Sequence, residues 1–240
     1  RTELRLMIAP SCGELMTLTQ VQDLSQTLDG VSSPSAGPIG NVMELRNTVT
    51  PNGENYDVRA EIISAMAAPD TPPQVAAGVN ASLASIVGLT TVSTITDRAE
   101  QIPGTTRIEG GESLGPLRDT VEAVSQQQSP LPLEAVGVGA RWETTGVIDV
   151  QGLQVVTTSV SEITAMDGTI VELSVTGTQT VEIGSTMDLP GVSAEVLAWS
   201  ADTSGTTVID LATISPIRSS STTQAFQSLG VDDPTGYVQL

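Results

Sequence analysis

Carboxylates are the only plentiful reactive side chains here: 28 Asp and Glu stand against nine basic residues, every one an arginine. Two places set acids close together in sequence, Glu109-Gly110-Gly111-Glu112 and Asp232-Asp233. A carboxylate pair can hydrolyse a glycosidic bond when its members stand about 5–10 Å apart across a cleft, usually beneath aromatic sugar platforms. Loop oxygens can also hold calcium. Val231-Asp232-Asp233-Pro234-Thr235-Gly236, Asp202-Thr203-Ser204-Gly205 and residues 109–112 each offer such oxygens. None keeps the alternating Asp-x-Asp-x-Asp-Gly spacing of a hand-type loop, so Ca2+ stays an open cofactor with no ligand assigned.

The absences narrow the chemistry further. With no histidine, the chain has no usual general base, no Ser-His-Asp or Cys-His relay and no imidazole metal ligand. With no lysine it has neither a Schiff-base amine nor a P-loop lysine. Its serines and threonines are abundant but lack a base to activate them. The aromatics are Trp142, Trp199, Tyr56, Tyr237 and Phe226, too few to floor a sugar-binding cleft. These residues point away from an enzyme, and no catalytic residue is assigned.

A net charge of −19 excludes nucleic acid as a natural partner, since phosphate recognition needs a basic footprint. It also disfavours anionic membrane surfaces. No apolar run reaches the ~18 residues of a membrane helix. Cys12 is the only cysteine, so no intrachain disulfide can form. Pro10-Ser11-Cys12-Gly13 has a faint likeness to a lipoprotein cleavage site, but Arg1-Thr2-Glu3-Leu4-Arg5 is not an apolar signal region, and a small buried thiol is the plainer reading. An export signal is expected upstream of the segment given. Asn80-Ala81-Ser82 fits a glycosylation acceptor, but it lies on an expected helix.

The elements that must position these residues read mainly as strands, with Val, Ile and Thr alternating with polar residues. One hairpin is predicted over residues 41–63 about Asn52-Gly53, and another over residues 153–181 about Asp167-Gly168, where small residues tolerate positive φ. A strand precedes each, over residues 14–28 and 140–150. After each comes Pro-x-Val-x-Ala-x-Val, as Pro73-Gln74-Val75-Ala76-Ala77-Gly78-Val79 and as Pro190-Gly191-Val192-Ser193-Ala194-Glu195-Val196, then a Thr-rich strand over residues 89–96 or 206–214. This shared order reads as an internal duplication: strand, hairpin, short helix or turn, strand. A helix is predicted near residues 72–88, opened by Thr71-Pro72-Pro73, with Val75, Val79, Leu83, Ile86 and Val87 on one face. Another is predicted over residues 113–126, capped by Ser113. Residues 31–40 read as a surface loop and residues 219–224 as a mobile tail.

The expected fold is therefore mainly β with one or two short helices, two similar antiparallel β units forming a sandwich or half-barrel. Residues 1–128 form the first unit and residues 129–240 the second, joined by the Pro-rich segment 129–134. Trp142 is expected to be a structural piece of the second unit rather than a ligand platform.

The stretch Ser129-Pro130-Leu131-Pro132-Leu133-Glu134-Ala135-Val136-Gly137-Val138-Gly139-Ala140-Arg141-Trp142 resembles the linker block of an uncharacterised family of exported bacterial, largely actinobacterial, envelope proteins. In that family a Ser-Pro-Leu-Pro-x-Glu-Ala-Val-Gly-x-Gly-Ala-x-Trp block joins two β-rich halves. The resemblance implies an extracytoplasmic β protein, secreted or held at the cell surface. It implies no activity.

Two functions follow as expectations. One is a non-enzymatic structural or interaction protein of the cell exterior, a self-assembling surface-layer or filament subunit that associates with itself or another envelope protein. Its opening strand, residues 2–8, would pair at a sheet edge, its own or a neighbour's. The alternative is an envelope carrier for a lipophilic small molecule, its interior lined by Met7, Met16, Met43, Met66, Met166 and Met187.

Overall fold

A computed structural model describes residues 1–10, 13–23, 25–28, 31–33, 37–110, 130–150, 152–189, 192–233 and 236–239. In chain order the elements are β1 (Glu14–Gln22), β2 (Gln26–Leu28), β3 (Val31–Ser33), β4 (Ile39–Asn52), β5 (Asn55–Ala67), α1 (Pro73–Leu83), β6 (Thr90–Thr96) and β7 (Arg107–Glu109). They continue with β8 (Arg141–Val150), β9 (Leu153–Asp167), β10 (Ile170–Val181), β11 (Thr186–Leu189), β12 (Val192–Asp210), β13 (Arg218–Asp233) and β14 (Gly236–Gln239). The fold is mainly β, built as two antiparallel sheets, one of them a half-barrel.

The first sheet runs β1-β4-β5-β6-β7 and the second β14-β13-β12-β10-β9-β8, with β11 paired onto β12. Each sheet therefore repeats one meander: a strand, a hairpin, a connection, then two more strands. Both hairpins turn on a glycine at the first loop position. Asn52 pairs with Asn55 across Gly53-Glu54, and Asp167 pairs with Ile170 across Gly168-Thr169. The central residues are thus shifted by one from the predicted Asn-Gly and Asp-Gly pairs. Gly53 has φ +65° and Gly168 φ +59°, while the second loop residue of each needs no left-handed backbone.

The two connections differ, which corrects the reading of the shared Pro-x-Val-x-Ala-x-Val motif. Pro73 to Val79 lies in α1, opened by Pro72 and Pro73 and followed by alanines that favour a helix. Val192 to Val196 instead begins β12, a strand whose backbone is claimed by β11 and β13. An identical spacing of small and β-branched residues follows whichever ladder lies beside it. In α1, Val75, Val79 and Leu83 are half-buried, as is Ile86 in the short turn after it, whereas Val87 points outward at 45% exposure. The helix predicted over residues 113–126 lies outside the described residues.

Other boundaries also move. The strand predicted over residues 14–28 stops at Gln22, and β2 and β3 pair separately where part of the loop was expected. The predicted loop over residues 31–40 ends inside β4. Residues 219–224 are strand, laid along β12 with Thr203 Oγ1 and Thr223 Oγ1 2.8 Å apart and Thr207 Oγ1 and Ser219 Oγ 2.9 Å apart. A row of Ser and Thr reads as a loop by composition, but here it pairs hydroxyl to hydroxyl across the strands. Gly205 is needed in this ladder: a Cβ there would collide with the Ser220 carbonyl and stand 2.9 Å from Ser221 Cα.

The main core lies between the sheets and draws on both. Val49 and Ile95 from the first sheet pack with Ile163, Val171 and Leu173 from the second, with Leu211 just beyond β12, with Leu131 from the linker, and with Leu4, Leu6 and Ile8. A smaller core, drawn from the second sheet, gathers Leu153, Val155, Met187, Ala194, Val196 and Leu229. Residues 2–8 do not add to an edge of either sheet of their own chain. They form a strap laid into the junction of the sheets.

Candidate functional site

The strap follows from its own alternation. In Thr2-Glu3-Leu4-Arg5-Leu6-Met7-Ile8 the even positions from 4 onward are aliphatic, so an extended backbone sends them all to one face. Leu4 is 0% exposed, Leu6 8% and Ile8 5%, while Met7 on the opposite face is 60% exposed. Backbone bonds tie it to elements far apart in sequence. Thr2 N donates to Val136 O at 2.7 Å and Val136 N returns one to Thr2 O at 2.8 Å. Leu6 N donates to Asp97 O at 2.6 Å, and Met7 N to Leu211 O at 2.7 Å. The Tyr56 hydroxyl donates to Leu6 O at 2.9 Å.

Charge fixes the outer face. The Arg5 guanidinium pairs with Asp97 and, at 3.0 Å, with Glu3. The hydrogen bond it donates to Asp97, then the one it donates to Glu3, holds its pKa above the ordinary arginine value. Above the strap lies a cleft of about 730 Å³, bounded by both hairpin tips at Gly53-Glu54 and Gly168-Thr169. The strap and both hairpins thus converge on one site.

The linker is stitched in beside it. Leu131 N donates to Arg98 O at 2.8 Å, and the Arg98 guanidinium donates to the carbonyls of Pro132 and Leu133. Trp142 Nε1 donates to Pro130 O at 3.0 Å while its ring packs on the main core. Trp142 is therefore a joint between linker and strand. A second cleft, about 570 Å³, lies between residues 100–106 and the inner face of β8 and β9, floored by Thr144, Gly146, Thr157 and Ser159. Thr157 Oγ1 is buried there with no hydrogen-bond partner among the described residues.

The acidic residues singled out by sequence do not converge. Glu109 is taken up by Arg59 at 2.6 Å and Arg107 at 3.1 Å, which hold its carboxyl below the usual carboxylate range. Glu112 and Cys12 lie outside the described residues. Asp202 to Gly205 is mid-strand in β12 rather than the loop read from the sequence. Asp232 and Asp233 belong to the end of β13, opposite Tyr237 and Gly236 of β14. Among the described residues no group of three or more His, Cys, Asp or Glu could hold a metal ion. Asn80 Oδ1 accepts from Ala67 N at 2.7 Å, tying α1 to the end of β5. Of the methionines, Met187 is in the smaller core, Met166 borders the main one, and Met7 and Met66 face outward.

Sequence reasoning missed the strap's partners, Tyr56, Asp97, Val136 and Leu211. The alternation in residues 2–8 shows that the segment must bury one face. It carries no sign of which surface receives it.

No family model, curated protein or solved structure matches the chain.

Proposed function

We propose that this chain is a non-enzymatic structural and interaction protein of the cell exterior, a subunit that associates with copies of itself as a surface layer or filament. The observation that carries this reading is the outer edge of β13. Among the described residues β14 pairs only with residues 230–233, which leaves residues 218–227 without a strand on that side. Natural sheets guard such edges with lysine, proline, bulges or inward charges. This one has Arg218 at its start and then only uncharged residues through Leu229, with Phe226 61% exposed.

The first sheet ends similarly. β1 carries Glu14 and then no further charge, and Leu15, Leu18 and Val21 are 73%, 43% and 57% exposed. An extended strand of another chain gains main-chain hydrogen bonds along either edge. The linker block's resemblance to exported envelope proteins supports placement outside the cytoplasm. The scattered carboxylates and missing imidazole support a non-enzymatic role.

Light scattering and electron microscopy across a concentration series, with native mass spectrometry of the same sample, test the reading. Concentration-dependent polymers free of small molecules are expected. Monomers at every concentration, each carrying a co-purified lipid, would replace it with the carrier.

A further inference from the structure

We propose that the strap, residues 2–8, exchanges between copies, so that the strap of one chain fills the junction of another. The receiving surface is specified by the molecule itself. It accepts Leu4, Leu6 and Ile8 in a row and presents the Val136, Asp97 and Leu211 backbone and the Tyr56 hydroxyl to the extended chain between them. A second copy brings an identical strap, and every one of these contacts can be remade in trans.

Three features make the exchange accessible. The strap is covered by no strand among the described residues, and its outer face lies open beneath the cleft between the hairpin tips. It can leave without breaking a ladder of either sheet, since its main chain is held by single backbone bonds, the Tyr56 hydroxyl and one isolated bridge pair, Thr2 with Val136. Its departure also strips cover from the shared core, so an emptied junction favours recapture of a strap from any copy within reach.

The balance between closed and exchanged forms is set by concentration. Only residues 9–13 separate the strap from β1. So short a tether gives an effective concentration on the order of millimolar or above, and dilute chains close on themselves. Packed subunits on a surface reach the same range, where exchange competes. Edge association alone leaves every strap in its own chain, so self-association and exchange can be told apart.

The test uses the full chain with Cys12→Ser as background. A Thr2→Cys, Val136→Cys double variant first places a thiol on each side of the bridge pair and is expected to close within one chain on oxidation. Chains carrying only Thr2→Cys are then mixed with chains carrying only Val136→Cys, refolded together at rising concentration and oxidised. A mixed disulfide dimer is expected, growing with concentration toward about millimolar. It should disappear when the Thr2→Cys chain also carries Leu4→Asp. Polymers without this mixed dimer would overturn exchange and leave self-association standing. Failure of the double variant to close, or a dimer indifferent to Leu4→Asp, would overturn the seating of the strap on which exchange depends.

Discussion

Glu109 illustrates how far a residue's chemistry depends on what folds beside it. In sequence it is half of an acidic pair, and in the fold it is a clasp between β5 and β7 through Arg59 and Arg107. Its depressed pKa has a definite sign for stability. The ionised form is favoured by folding, so the contribution is complete above the unfolded value of about pH 4.3 and is lost as pH falls through the lower folded value. Glu109→Gln is expected to flatten the acid limb of a stability-against-pH curve measured by urea unfolding, leaving the curve above pH ~5 parallel to that of the parent. Thr157 offers the opposite case, a buried hydroxyl with no hydrogen-bond partner among the described residues. A buried hydroxyl without a partner costs about 1–3 kcal/mol, whereas a methyl of the same shape costs nothing there. Thr157→Val should therefore raise stability by about 1 kcal/mol, read as a higher urea midpoint at unchanged slope. A loss of stability would show that the hydroxyl is hydrogen-bonded after all.

At the level of elements, the edges of β1 and β13 give the most direct handle on association. Thr17 stands opposite Glu44 on β4, and Gln224 opposite Asp202 on β12. A lysine at either place guards the edge and gains a cross-strand partner of opposite charge, worth about 0.2–1 kcal/mol. Thr17→Lys and Gln224→Lys are thus expected to keep or slightly raise the melting temperature while shifting association to higher concentration, measured by sedimentation. Unchanged association in the double variant would show that neither edge is used. The strands themselves were legible, because period-2 alternation in 41–63 and 153–181 is a local property. The connections were less so. Pro-x-Val-x-Ala-x-Val made a helix in one unit and a strand in the other, and the hydroxyl-rich start of β13 reads as a loop until β12 is beside it. Both depend on pairing partners that no local window contains.

On the scale of the molecule, one core and one charge govern behaviour. The duplicated order of strands was visible in the sequence, but not that the two sheets share a core with the strap between them. Because Leu4 is fully buried among residues of both sheets, Leu4→Ala should cost about 2–5 kcal/mol and lower the unfolding of both sheets together in one transition. Two separated transitions would mean that the sheets fold independently. The charge acts on association in the other direction. A net −19 spread over the surface repels every approaching copy, while the edge segments contribute little of it. Salt shortens the reach of that repulsion from about 20 Å at 0.02 M to under 5 Å at 0.5 M, and it leaves main-chain hydrogen bonds and apolar contact largely intact. Association along uncharged edges should therefore strengthen as salt rises over that range, with the critical concentration falling in sedimentation runs. An assembly held by arginine–carboxylate pairs would dissolve instead, because the same screening weakens attraction between exposed opposite charges.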